Sequence, residues 1–200
     1  MAGVESCAGV PFHAGTLIRV GAAPPHIRPC EARDLPAVTA IYAHFVKHGW
    51  ASFEETPPSL AVMTERRAHV LAEGMPYLVA LLGETIVGYA YATIYRTRSA
   101  YRYTAEDSIY VHHEYARRGI GSALLGALIE RCEAIGCRQM IAVISDTEGG
   151  SVRLHERFGF RPAGELEAVG FKFNRWIDTV RMQRALGPGS ASPPRGAAGP

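Results

Sequence analysis

The sequence predicts an α/β fold in which helices cover a mixed β-sheet. Short apolar runs alternate with amphipathic helical patterns, and a strand–helix–strand–helix order follows a meander in the first half. The 200 residues are 48% hydrophobic and 20% charged, which is ordinary for one globular domain with its own core. No internal repeat is visible, so we expect a single unit.

The first half begins with a short strand and two helices. The strand is HIRPC, residues 26–30. A helix is predicted over 33–48, because apolar residues recur there at helical spacing and Asp34 can cap its start. A second helix is predicted over 59–74, with Ser59 as the N-cap and Gly74 as the stop. Residues 77–97 then form two strands around a Gly-Glu turn, which predicts a hairpin.

The second half alternates strands and helices. A strand is predicted within 103–114, and a helix over 119–135 that ends at Gly136. The apolar run 137–145 predicts a buried strand, and a short helix over 149–160 ends at Gly159. Two further strands are predicted near 162–169 and 172–184.

Both ends of the chain differ from the middle in composition. Residues 1–25 are small and rich in Gly and Pro, and residues 187–200 are almost entirely Gly, Pro, Ser and Ala. Such segments cannot bury enough apolar surface to become ordered. We therefore predict a flexible N-terminal segment at 1–25, a folded domain at 26–186 and a disordered tail at 187–200.

The bulk numbers exclude several classes of protein. The net charge of +2 gives no reason to expect nucleic acid or a membrane surface as a partner. No signal peptide and no apolar run of about 18 residues is seen, so we expect a soluble, cytoplasmic protein. The four cysteines contain no CxxC pair, and the adjacent His112 and His113 would project oppositely on a strand, so no metal site is predicted.

A glycine-rich turn before the third helix indicates a phosphate site. Gly119 and Gly121 remove side chains where a helix begins, which lets a ligand approach the unpaired N–H groups at the positive end of the helix dipole. Arg117 and Arg118 add charge-assisted donors. The turn is neither a Walker loop nor a dinucleotide-binding fingerprint. A plain strand–helix turn with solvated arginines is the alternative.

A set of motifs along the chain together carries a family resemblance. ARRGIGSALLGALI (116–129) resembles the acetyl-CoA signature of the GNAT N-acetyltransferases, although Ala116 stands where the family usually has Gln or Arg. RSAYRYTAEDSIYV, SVRLHERFGF and GFKFNRWIDTVRMQ narrow the resemblance to the phosphinothricin and methionine sulfoximine N-acetyltransferases, and WASFEETP fits their substrate loop. The resemblance covers about 27–185. It implies a GNAT-type, mostly antiparallel sheet with a splayed strand pair, and acetyl-CoA as cosubstrate.

The resemblance implies two catalytic residues and a set of coenzyme contacts. Glu106 precedes an apolar strand, where a carboxylate can have a raised pKa, and it is the expected base, although a strand-end carboxylate in water is the alternative. His155 is the expected proton relay to the thiolate, although a packed helix histidine is the alternative. Asp107 is expected on the opposite face of the strand, and Glu148 replaces a common coenzyme-binding asparagine. The expected coenzyme contacts are Ile109, Tyr110, Val111, Arg117, Arg118, Gly119, Ile120, Gly121, Ser122 and Ser151.

The acceptor site is predicted from a basic pair. Arg96 and Arg98 would face the same side of an extended stretch, and paired guanidinium groups suit a carboxylate or phosphinate. A solvated basic edge is the alternative. Phe53 would wall the apolar end of a small amino acid analogue. The remaining candidates, each of which is as well explained by packing, are Tyr101, Trp50 and Lys172.

The resemblance therefore predicts an enzyme that acetylates small amino acid analogues, with detoxification as the implied biology. Acetylation of protein N-termini or polyamines is one alternative, although Arg96 and Arg98 would repel a polyamine. A non-catalytic acyl-CoA-binding module is another, and the presence of both Glu106 and His155 disfavours it. The aromatic final strands resemble a region that forms dimers in these enzymes, so a homodimer is expected.

Overall fold

A computed structural model describes residues 24–145 and 150–194. The predicted flexible segment before residue 24, the final part of the predicted tail and Glu148 lie outside the described residues. The predicted domain boundaries therefore remain predictions.

The described chain forms a seven-stranded sheet with four α-helices. The helices are α1 (Leu35–His48), α2 (Leu60–Ala72), α3 (Ile120–Ala134) and α4 (Gly150–Arg157). The strands are β1 (His26–Pro29), β2 (Tyr77–Leu82), β3 (Thr85–Ile94), β4 (Thr104–Val111), β5 (Gln139–Ile144), β6 (Arg161–Lys172) and β7 (Arg175–Ala185).

The sheet topology confirms the predicted fold class. The strand order is β1-β2-β3-β4-β5-β7-β6, and every neighbouring pair is antiparallel except β4 and β5, which are parallel. Pairing between β4 and β5 begins at Thr104↔Gln139 and ends at Asp107↔Ala142. Both strands continue beyond that point, so the two strands splay apart as predicted.

The helices cover the two faces of the sheet. On one face Tyr110 packs edge-on against Tyr42 of α1, with ring centroids 5.1 Å apart. On the other face a Cβ at Gly88 would meet Leu124 and Ile120 of α3 at 3.1 and 3.2 Å, so this glycine allows α3 to lie close to β3. The apolar core therefore extends on both sides of β3 and β4, and the end of β4 is held between α1 and α3.

The cap predictions had different outcomes. Ser59 caps α2 as predicted, because its hydroxyl accepts from the Val62 N–H. Asp34 occupies the N-cap position of α1, but its side chain makes no capping bond to that helix. The carboxylate instead accepts two bonds from Arg28, at 2.6 and 2.8 Å, and one from the Glu31 N–H at 2.7 Å. Asp34 therefore ties β1 to the start of α1.

The boundary between the last two strands differs from the prediction. The sixth strand runs to Lys172, which was predicted to open the seventh strand, because a tight turn at Phe173 and Asn174 joins the hairpin there. None of the described helices is long and apolar enough to cross a membrane.

Candidate active site

The splayed ends of β4 and β5 form a cleft with a free backbone edge. The Tyr95 N–H donates to Thr104 O and the His112 N–H donates to Val87 O, so the backbone groups of even-numbered β4 residues face β3. The groups of Ile109 and Val111 consequently face β5, beyond the point where pairing with β5 ends. The residues that line this cleft include Ser108, Ile109, Tyr110, Ser145, Ser151 and His155.

The glycine turn lies at the wide end of this cleft. Gly119 has φ +79° and caps α3, and Arg117 also adopts a left-handed conformation with φ +60°. A Cβ at Gly121 would meet Leu154 at 3.3 Å and Val111 at 3.7 Å, so α3, α4 and the end of β4 converge here. The predicted coenzyme residues Arg117 to Ser122 therefore adjoin the free edge of β4.

Glu106 lies at the narrow end of the cleft, one residue before the last paired position. Its side chain is half-buried on the face that α1 covers, where Glu106 pairs with Thr93 across the ladder. Burial and then the neighbouring charge of Asp107 raise the pKa of this carboxyl group, and Arg96 and Arg181 oppose the rise. A carboxylate with a raised pKa is suited to accept a proton near neutral pH.

His155 is buried on the other face of β4 and contacts Asp107. His155 Nε2 lies 3.0 Å from Asp107 Oδ2, and Nδ1 lies 2.8 Å from the carbonyl oxygen of Ser151. The Ser151 hydroxyl is 3.5 Å from the same Nδ1. Burial acts to lower the pKa of His155, but the hydrogen bond and charge of Asp107 and the bond to Ser151 outweigh it, so the pKa is raised.

Sequence reasoning did not predict the contact between Asp107 and His155. Strand alternation correctly placed it on the face opposite Glu106, but it gave no partner there. The partner is His155, 48 residues later. A carboxylate in the middle of an apolar strand is the one available signal, because such a group needs a buried partner.

The predicted acceptor residues lie on two segments. The ring of Phe53 covers Gly170 of β6 so closely that it leaves no room for a Cβ there. The guanidinium carbon of Arg96 lies 4.9 Å from the centroid of the Tyr95 ring. The Tyr95 ring packs edge-on against Tyr101, with ring centroids 5.7 Å apart. Arg96 is near enough to Glu106 to affect its pKa. Arg96 therefore links the segment that carries Tyr101 to Glu106.

Arg98 has no such link to Glu106 within the described residues. The strand ends at Ile94 and the chain bends at 95–98, so the expectation that Arg96 and Arg98 face the same side does not follow from strand geometry. Arg98 instead precedes the 3-10 turn Ser99–Tyr101.

Lys172 and Trp50 shape the loop before α2. Lys172 is 2% exposed, and its Nζ donates to the carbonyl oxygens of Gly49 and Ser52 at 3.0 and 2.6 Å. Trp50 packs against Phe173 at 5.1 Å. Lys172 therefore holds the segment that carries Phe53, and its own charge is used in that contact.

No metal site is seen in the part of the chain that the structure describes. Within 24–145 and 150–194, no three His, Cys, Asp or Glu side chains are grouped so that they could hold a metal ion.

Comparison with known proteins gives consistent matches across this site. The acetyltransferase (GNAT) family profile matches residues 41–160. A phosphinothricin N-acetyltransferase from Alcaligenes faecalis is 52% identical over 169 residues, covering 84% of this chain and 86% of the relative. An L-methionine sulfoximine/L-methionine sulfone acetyltransferase from Pseudomonas paraeruginosa is 39% identical over 172 residues, covering 84% and 98%.

A solved structure shows the same similarity in three dimensions. The GNAT superfamily phosphinothricin acetyltransferase from Sinorhizobium meliloti, in complex with AcCoA, matches with a TM-score of 0.85 and 46% identity. The match covers 88% of this chain and 96% of that one. Residues 41–160, which the family profile matches, include the glycine turn, the splayed strands and α4.

Proposed function

Because the chain belongs to the GNAT acetyltransferase family and is an acetyl-CoA-dependent N-acetyltransferase, we propose that its acceptor is a small carboxylate-bearing amino acid analogue. Phosphinothricin, methionine sulfoximine and methionine sulfone are the acceptors we propose. The names of the two relatives support this choice. The acceptor would be acetylated on its α-amino group.

The position of Glu106 relative to the cleft is the observation that carries the mechanism. The glycine turn adjoins Val111 at the end of β4, and the pairing of β4 with β5 ends at Asp107. The three residue steps from Ser108 to Val111 span about 10 Å in a strand. The pantetheine arm of acetyl-CoA, if it binds this free edge in extended form as an added strand, would end beside Glu106.

We propose that Glu106 removes the proton from the acceptor amine, directly or through a water. Free α-amino groups have pKa values of about 8 and are mostly protonated at neutral pH, so a base is required before they can attack a thioester. The backbone N–H of Ile109 faces the cleft and would donate to the thioester carbonyl as negative charge develops on its oxygen.

We propose that His155 supplies the proton to the departing thiolate through Ser151. The His155 Nδ1 contacts both the carbonyl oxygen and the hydroxyl of Ser151. The Ser151 hydroxyl would give its proton to the sulfur and take one from the Nδ1–H. The coenzyme turn, the base and this relay then act on one thioester from three sides.

The site of acetylation tests the proposed acceptor chemistry. The protein is incubated with acetyl-CoA and phosphinothricin or methionine sulfone, and the product is identified by mass spectrometry and NMR. We expect one added acetyl group on the α-amino nitrogen. The corresponding acid without an amino group is the control and should stay unmodified. An acetyl group on any other atom would contradict the proposal.

We propose that Arg96 binds the acidic end of the acceptor. Replacing Arg96 with glutamine removes a charged donor and is expected to raise the KM for the acceptor by about tenfold, with the KM for acetyl-CoA unchanged. Arg33 has a 74% exposed side chain and pairs with Glu31 near α1, so Arg33→Gln is the matched control. Arg98→Gln, tested in parallel, shows whether the second arginine contributes. Equal KM values in Arg96→Gln and wild type would refute this role.

We propose that the β6–β7 hairpin forms a homodimer interface. Several large apolar side chains of this hairpin are about half exposed or more: Val169, Phe171, Phe173 and Trp176. Such a patch is typical of an interaction surface. Light scattering at micromolar concentration should give the mass of two chains, and Trp176→Glu should lower it to one. Ile135 is 51% exposed at the end of α3, so Ile135→Glu is the control. A one-chain mass for the wild type would rule the dimer out.

A further inference from the structure

We infer that Asp107 is a positioning residue of the acetyl-transfer site, where it holds the His155 ring on one face of β4 while Glu106 acts on the other. This inference rests on the proposed roles of Glu106 and His155.

Three contacts fix the imidazole ring of His155. Asp107 Oδ2 lies 3.0 Å from Nε2, and the Ser151 carbonyl oxygen lies 2.8 Å from Nδ1. Phe160 packs edge-on against the ring with centroids 4.9 Å apart. The side chains of His155 and Asp107 are only 4% and 3% exposed. The ring therefore cannot rotate without losing a buried hydrogen bond.

The contacts also determine how many protons the ring carries. Both of its nitrogens face acceptors, namely a carboxylate and a backbone carbonyl. A neutral imidazole has a single N–H and can satisfy only one of them. Both contacts are satisfied when the ring is an imidazolium and Asp107 is ionised, which forms a paired buried charge. In this state His155 can give a proton but cannot accept one.

The second carboxylate oxygen of Asp107, Oδ1, also supports an ionised pair. It is buried and has no hydrogen-bond partner within the described residues. Asp107 lines the cleft, as do Ser151 and His155. A buried carboxylate with one oxygen left without a hydrogen bond is costly in free energy. The positive charge of the His155 ring beside it offsets that cost and lets Asp107 stay ionised.

The charge of Asp107 also acts on Glu106. Within the described residues, the charged or titratable groups that act on the two carboxylates or are acted on by them come from several elements: His155 of α4, Arg96 after β3, Arg181 of β7, Tyr91 of β3 and the Cys132 thiol of α3. The hydrogen bond that the Cys132 thiol donates to Cys137, together with burial, raises the pKa of Cys132 and keeps that thiol protonated. Burial and the Asp107 charge raise the pKa of Glu106, and Asp107 and Ser151 raise the pKa of His155 against burial.

These shifts give a defined pH range for turnover. The reaction needs Glu106 deprotonated and His155 protonated, so kcat should rise with pH through the pKa of Glu106 and fall through that of His155. Removing the Asp107 charge would lower both pKa values. The whole bell-shaped profile of kcat would then move to lower pH. A residue needed only for packing would lower kcat without moving either limb.

Asp107→Asn tests this, because asparagine keeps the shape of the side chain and removes its charge. We expect kcat at neutral pH to fall by about tenfold to a hundredfold, with both limbs of the profile shifted to lower pH. Glu73→Gln is the matched control, since Glu73 lies 3.5 Å from His69 in a carboxylate–histidine pair on the surface of α2. It should leave kcat and the profile unchanged.

A second readout does not depend on activity. In ¹⁵N-labelled wild-type protein, the ring signals of His155, assigned from their loss in His155→Gln, should be those of an imidazolium at neutral pH. In Asp107→Asn the ring should be neutral at the same pH. A neutral His155 ring in the wild type overturns the inference even if the variant does not fold.

The two readouts separate this inference from the proposed function. An imidazolium that depends on Asp107, in a protein that does not acetylate the proposed acceptors, would leave the positioning role standing and reject the acceptor assignment. Acetylation of the proposed acceptors, with an unshifted pH profile in a folded Asp107→Asn, would keep the acceptor assignment and reject the positioning role.

Discussion

Glu106→Gln should lower kcat by about a hundredfold to ten-thousandfold, the range expected when a general base is removed. Glutamine is nearly isosteric with glutamate but cannot take up a proton. The acceptor amine would then remain largely protonated and could not attack the thioester. Acetyl-CoA binding, measured by calorimetry, should stay within about twofold of the wild type, because the proposed coenzyme contacts lie at the free edge of β4 and the turn before α3.

The pH dependence of the activity is a second test of Glu106. Burial and the Asp107 charge raise the pKa of Glu106 above its usual range, so activity should be lost at a higher pH on acidification than an ordinary carboxyl group would give. Glu84, exposed in the β2–β3 turn, provides the control variant Glu84→Gln. Full turnover by Glu106→Gln would show that another group is the base. Lost turnover with intact coenzyme binding would reject the view that the chain is only an acyl-CoA-binding module.

Gly119→Val is expected to weaken coenzyme binding more than any other single change in the turn. Gly119 has φ +79°, a conformation that a β-branched residue adopts only under strain of about 1–3 kcal/mol. The valine would either hold that strain or pull the turn out of shape, and the first N–H groups of α3 would no longer converge on a phosphate. The KM for acetyl-CoA should rise by about tenfold to a hundredfold.

Gly83 provides a matched control for this substitution. It has φ +61° in the turn between β2 and β3, away from the cleft, and like Gly119 it has no atom within 4 Å of the added Cβ. Gly83→Val should lower the melting temperature to a similar degree while the KM for acetyl-CoA stays unchanged. An equal rise of the KM in both variants would mean that the effect of Gly119→Val comes from general destabilisation.

Local patterns predicted those features of the fold that depend on neighbouring residues. Apolar periodicity and glycine stops located the helices, and the Ser59 cap follows from local chemistry alone. The left-handed conformation of Gly119 was not predicted, because the sequence indicated only that the missing side chain lets a ligand approach the start of the helix. The splayed strands followed from the family resemblance, since periodicity does not reveal where a parallel ladder ends.

Features that depend on distant contacts could not be predicted. Asp34 has the right position for a helix cap, yet a bidentate contact with Arg28 uses its carboxylate instead. Lys172 looked like a possible acceptor contact, but its ammonium group is bound to carbonyl oxygens more than 100 residues earlier in the chain. The pairing of Asp107 with His155 joins β4 to α4, and no spacing rule in the sequence connects the two.

The choice of acceptor is the central claim, and a thiol-release assay tests it most directly. The kcat/KM values would be measured with acetyl-CoA and a panel of phosphinothricin, methionine sulfoximine, methionine sulfone, the common amino acids, spermidine and a short peptide. We predict that turnover is confined to the carboxylate-bearing amino acid analogues. Efficient turnover of the peptide or of spermidine, with none of the analogues acetylated, would contradict the proposed acceptor while leaving the acetyl-CoA site unchanged.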